Sequence, residues 1–152
     1  MSIYSAFQYI RYRIKAKTRH GVHSPFAYGF IEQVLLSTSI VVLKTSSIEG
    51  EIMSIPAHYQ NLLGRINEYC KPAVIQIIPV GRVDSFIAEN LPLIGADEVI
   101  LVPSIHSSAT GSAAWTQLIG NTHVKLSIDL YGIGLLFFNK EFKEQQHFIL
   151  KY

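Results

Sequence analysis

Residues 73–102 read AVIQIIPVGRVDSFIAENLPLIGADEVILV, and the fold is decided within them. AVIQII (73–78) and EVILV (98–102) are almost unbroken aliphatic runs, the composition of parallel strands covered on both faces. Between them PVGR makes a loop, Asp84 is placed to cap a short helix running through Glu89-Asn90, and Leu91-Pro92 ends it. Strand, crossover helix and second buried strand form a βαβ unit, so the class is α/β.

Reading outward, Tyr59, Leu62, Leu63, Ile66, Tyr69 and Cys70 recur at helical spacing, and Pro72 stops the helix they predict. Downstream, PSIHSSATGS (103–112) reads as a polar loop and AAWTQLIG (113–120) as a helix closed at Gly120-Asn121. VKLSIDL (124–130) and IGLLFFN (133–139) read as two strands joined by a tight turn at Tyr131-Gly132. After the polar KEFKEQ, HFILKY (147–152) is the last strand. These elements predict about five strands, a parallel core with an antiparallel C-terminal hairpin.

The N-terminal third is helical. Ile3, Phe7, Ile10 and Ile14 fall on one face of a helix over 3–17, which Gly21 ends. Ser24-Pro25 fits an N-cap followed by proline at the first helical position, and a second helix runs to about Leu36. Residues 37–55 lack a period, and IVVLK (40–44) within them is read as loop or short edge strand. One domain results, with a helical arm at 1–55 and an α/β core at 56–152.

Composition narrows the class of protein. Of the 152 residues 49% are hydrophobic and only 16% charged, against about 25% charged in an ordinary domain. That shortfall leads us to expect a second subunit covering some of the surface, as in a homodimer. The single cysteine, Cys70, excludes an intramolecular disulfide and reads as a buried, inert thiol. No run approaches the roughly 18 apolar residues of a membrane span, and the amphipathic start is unlike a signal peptide, so the cytoplasm is the expected location. Net charge is +2, yet Arg11, Arg13, Lys15, Lys17 and Arg19 cluster with no acidic residue before Glu32. A docking helix with a solvated basic face is the favoured reading, ahead of nucleic acid or an anionic membrane as partner.

Two stretches carry a family resemblance. RYRIKAKTRHGVHSPFAYGFIEQVL (11–35) and SIDLYGIGLLFFNKEFKEQQHFILKY (127–152) resemble the two ends of class I SAM-dependent methyltransferase-like proteins of the Bacteroides group. YQNLLGRINEYCKPAVIQI (59–77) is similar to the helix and strand that introduce their cofactor loop. The resemblance implies a Rossmann-like, methyltransferase-type three-layer sandwich with SAM as cofactor. This chain departs from the pattern at three places. The family's first strand ends in an acidic residue and a glycine-rich turn, whereas IQIIPVGRVDS (75–85) has Gln76 in place of the acid, Ile78 and Pro79 in the turn, and Gly81 alone. The family's D-D-I-H-W-S loop is here Pro103-Ser104-Ile105-His106-Ser107-Ser108, without the carboxylates or the tryptophan. From Ala73 only 80 residues remain, too few for the roughly 125–150 that five or six βα units and their loops require.

These losses point to a shortened, degenerate relative that does not methylate and serves a binding or regulatory role, with no cofactor. An active SAM-dependent methyltransferase with an atypical pocket is the alternative, followed by a nucleic-acid or membrane-surface binder acting through the basic helix. A surviving pocket would lie beyond the carboxyl ends of the strands at 73–78 and 98–102, lined by Pro79, Gly81, Asp84, Ser104 and His106. No catalytic residue and no metal ligand is assigned. His20 and His23 straddle a helix break, and Ser104, His106 and Asp129 make a triad only on paper, with no G-x-S-x-G elbow. Glu89, Asp97 and Glu98 are expected to be solvated.

Overall fold

Local chemistry sets the first elements. Ser2 caps α1 (Ile3–Lys15) by accepting the Ser5 amide on its hydroxyl at 3.1 Å, and the helix gives way to extended backbone at Ala16. Gly21 therefore does not end it; a separate 3₁₀ turn spans Arg19–Gly21. The structure, a computed structural model, describes residues 2–152. Ser24 caps α2 (Pro25–Phe30) with proline in its first turn, and the helix widens into a π-helical turn over Ile31–Leu35.

The segment 37–55 contributes a two-residue edge strand, β1 (Ile48–Glu49). The helix expected after Pro56 is divided at Asn61 into α3 (Ala57–Gln60) and α4 (Leu62–Cys70), and Lys71 in left-handed conformation ends it. IVVLK forms no strand: Val41 lies against Gly64 of α4, and Ile40 and Val42 are exposed.

Next come β2 (Val74–Ile77), α5 (Val83–Glu89) and β3 (Glu98–Pro103). Asp84 does not cap α5; it sits in the first turn, where a carboxylate favours the helix dipole. α6 (Ala109–Ile119) takes in the second half of the stretch read as a polar loop, because Ser108 caps it through the Gly111 amide at 3.0 Å. β4 (Leu126–Asp129), β5 (Ile133–Phe137) and β6 (Gln146–Ile149) complete the chain.

The sheet has six strands, one more than expected, in the order β1-β2-β3-β5-β4-β6. β1, β2 and β3 run parallel, β5 runs antiparallel to both its neighbours, and β4 and β6 are parallel. The hairpin thus folds inward, placing its second strand between β3 and β4.

Alternation along the strands fills both faces. Val99 and Leu101 pack with Ile75, Ile128 and Leu135 beneath Phe30, Leu62 and Ile66 of α2 and α4. Ile100 and Val102 point the other way, with Leu136, toward Phe86 of α5 and Trp115 and Leu118 of α6. Helices therefore cover both sides of the sheet.

Gly134 marks the tightest point of the second face. A Cβ there would run into the six-membered ring of Trp115. We expect Gly134→Ala to destabilise the fold by about 1–3 kcal/mol through overpacking, measured as a lower urea midpoint at unchanged slope. A midpoint equal to wild type would show that Trp115 can move aside.

Candidate functional site

The carboxyl end of the sheet around β3 and β4 holds the best-organised polar cluster. β3 leaves the sheet through Ser104, whose φ of 59° turns the chain sharply and whose amide donates to the Gly132 carbonyl at 2.6 Å. Ile105 is buried and anchors the turn. His106 follows, with its Nε2 2.6 Å from Asp129 Oδ2 and its Nδ1 3.2 Å from the Ser112 hydroxyl. Asp129 is the last residue of β4, and its other oxygen accepts the Tyr131 amide at 2.8 Å.

Burial fixes the roles in this cluster. The His106 and Asp129 side chains are only 15% and 9% exposed. A carboxylate accepts, so Nε2–H donates to Asp129; the Ser112 hydroxyl lies between Nδ1 and the Ile105 carbonyl, the latter at 3.4 Å. The Tyr131 ring stacks on the imidazole at 5.7 Å. Tyr131 itself has φ 70°, a left-handed conformation that costs a non-glycine residue on the order of 1–3 kcal/mol. The bond to Asp129 and two to Ser5 hold it there, at 2.8 Å to the Ser5 hydroxyl and 2.6 Å to its carbonyl.

α1 lies over this end of the sheet. The Tyr12 hydroxyl donates to the Leu150 carbonyl at 2.5 Å and accepts the Tyr152 amide, while Lys17 bridges to Leu150 beside β6. On the other side the Tyr59 hydroxyl donates to the Leu130 carbonyl at 2.6 Å and accepts the Gly132 amide. Burial raises both phenols, Tyr59 to about 12 and Tyr12 further, so each stays a donor at neutral pH.

Between α1 and α6 a cleft of about 210 Å³ remains, with His106, Asp129, Ser112 and Thr116 on one side and Gln8, Arg11 and Lys15 on the other. Among the described residues neither Arg11 nor Lys15 has an acidic partner, whereas Arg19 is paired with Glu32. A wider depression of about 820 Å³ between the π turn and α4 is shallow, and its Arg65 is engaged with the Ser37 carbonyl.

The five residues expected to line a pocket are not brought together around this cleft; His106 alone lines it. Pro79 and Gly81 belong to an exposed 3₁₀ turn, and Asp84 is exposed on α5. Ser104 is half-buried, with its carbonyl accepting the Ser107 hydroxyl at 2.8 Å. Gln76 donates to Glu98 at 2.6 Å, and the same Glu98 accepts the Gly95 amide. Glu98 is therefore a half-buried hydrogen-bonding partner rather than a solvated charge.

The serine beside His106 is Ser112 and not Ser104. A hydroxyl bonded to an imidazole that a carboxylate orients is the grouping of an activated nucleophile. Here its surroundings work against that use. Ser112 sits inside α6, its own amide bonded to the Ser108 carbonyl and the adjacent Gly111 amide to the Ser108 hydroxyl, so neither is free to hold an oxyanion. The cluster orients α6 against β4.

His20 and His23 are both exposed, and among the described residues no three histidine, cysteine or acidic side chains come together as a metal site. Cys70 ends α4, and burial pushes its thiol up to about 12. No match to the chain exists among known protein families, curated proteins or solved structures. Nor is any helix among the described residues long and apolar enough to cross a membrane.

Two measurements follow from this geometry. Asp129→Ala, which strands His106 and the Tyr131 amide, should cost about 2–4 kcal/mol in urea denaturation, and Ser112→Ala about 1 kcal/mol or less. Equal effects would mean the carboxylate does not organise the cluster. At pH 8 Cys70, held almost wholly as thiol, should react with iodoacetamide far more slowly in the folded protein than in urea.

Proposed function

We propose that this chain is a methyltransferase-like protein that does not transfer methyl groups and acts as a binding or regulatory module. The observation that carries the reading is the turn after β2. Where the resemblance calls for glycines that let backbone amides close on SAM, Pro79 starts a 3₁₀ turn whose Arg82 amide already donates to the Pro79 carbonyl at 2.9 Å. A Cβ on Gly81 would meet no atom of the chain within 4 Å, so no packing contact within the protein calls for a glycine there. Pro79, which has no amide proton to offer, and the closed Pro79–Arg82 turn are what argue against a SAM cradle here.

Two further features support the reading. Helices on both faces of a largely parallel sheet, with one antiparallel strand set inward, agree with the architecture that the resemblance implies. The cleft at His106, about 210 Å³, is smaller than the roughly 300–1,000 Å³ of ordinary cofactor sites. Such a cleft suits a small polar ligand, held between the His106 cluster and the cations of α1.

Thermal melting with SAM or S-adenosylhomocysteine tests the proposal. A ligand at 100 times its Kd adds about 2.7 kcal/mol, worth several degrees in a domain of this size. We expect no shift at millimolar concentration. A reproducible rise with either compound sinks the non-catalytic reading and favours an active enzyme with an atypical pocket.

A further inference from the structure

We infer that the outward face of α1 seats the protein on an anionic lipid surface. The apolar stripe that periodicity assigns to this helix does not face the core. Ile3, Phe7, Ile10 and Ile14 are 93%, 57%, 57% and 79% exposed. At about 100° per residue they fall within roughly 60° of arc, with Tyr12 nearly opposite. Tyr12 is the buried residue of the helix, 3% exposed and bonded to Leu150, and Ser5 is held by Tyr131. Rolling the stripe inward would break those bonds and bury nothing polar in exchange. It is a fixed outward feature.

Charge decides what covers it. Arg11 and Arg13 lie roughly 70–90° to either side of the stripe, where long side chains reach up to headgroups while the apolar residues enter the acyl boundary. Residues 2–31 contain no carboxylate, and among the described residues Arg19 alone of the five cations between 11 and 19 is paired, with Glu32. A second copy docking on the same stripe would bring two uncompensated basic helices together. Nucleic acid would meet aliphatic side chains where phosphate contacts belong, and Phe7 is the stripe's only aromatic ring, with the Arg11 guanidinium 5.9 Å from its centre. An anionic bilayer satisfies both the stripe and its flanks. α1, about 20 Å long, would lie in the plane of the interface.

Co-sedimentation with vesicles tests this. The full chain should bind vesicles containing roughly a third anionic lipid and leave purely zwitterionic ones in solution, with binding falling steeply as salt is raised. Ile10→Asp, at an exposed position, should keep the wild-type melting temperature and weaken binding at least roughly tenfold. Arg13→Glu should weaken it several-fold, and gives a second readout that leaves the stripe intact. Absence of wild-type binding at low salt overturns the inference, as does equal binding by Ile10→Asp, which would make the contact purely electrostatic. A dimer in solution that Ile10→Asp dissociates would assign the stripe to a second copy. Tighter binding to a DNA duplex than to the vesicles would assign the helix to nucleic acid.

Discussion

The hydroxyl of Tyr12 donates to the carbonyl of Leu150 across 138 residues of chain, and the carboxyl end of the sheet is organised around that bond. A buried phenol without a partner costs about 1–3 kcal/mol, so the contact fixes which side of α1 faces inward. Once that side is fixed, Ser5 reaches Tyr131 and Lys17 bridges beside β6. Gln8, Arg11 and Lys15 come to overlook His106. The Tyr9, Tyr12 and Tyr131 rings pack together at 5.1–6.2 Å as a lid over the end of β4. Cleft, cluster and exposed stripe are consequences of one orientation.

That orientation explains where the sequence could be read and where it could not. The runs at 73–78 and 98–102, the helix around Trp115 and the hairpin at Tyr131 carry their own composition and turn chemistry, so they were legible. Helix capping was legible at Ser24 but hidden at Ser108, which stands among so many serines that the start of α6 looked like loop. The stripe of α1 was legible as a face, yet periodicity cannot say whether a face turns inward. A lone tyrosine, able to bury its ring and satisfy its hydroxyl, outweighed four aliphatic residues.

The polar cluster was harder still to foresee. His106 was visible as a residue at a strand end, and Asp129 at another, but their contact joins residues far apart in sequence through an antiparallel strand that inserts between β3 and β4. Ser112 carried only a weak signal, one turn beyond the capping serine. The exposed turn at Pro79 and Gly81 and the cluster at His106 proved to be separate features. Glu98, expected in solvent, instead ties Gln76 and Gly95 together, because a strand-end carboxylate beside a glutamine on the neighbouring strand has a partner within reach.

The bridge between Lys17 and Leu150 also has a meaning for synthesis. α1 leaves a ribosome before the core of this domain, and the carbonyl its tyrosine needs follows 138 residues later. At about 5–20 residues per second, the helix is available for on the order of ten seconds before its seat exists. During that interval neither of its faces is claimed by the domain, and the nascent chain presents a segment that pairs basic with apolar side chains to its surroundings. Long-range closure of this kind comes late and is slow to nucleate. Whatever first engages α1 therefore meets it before the rest of the domain has folded beneath it.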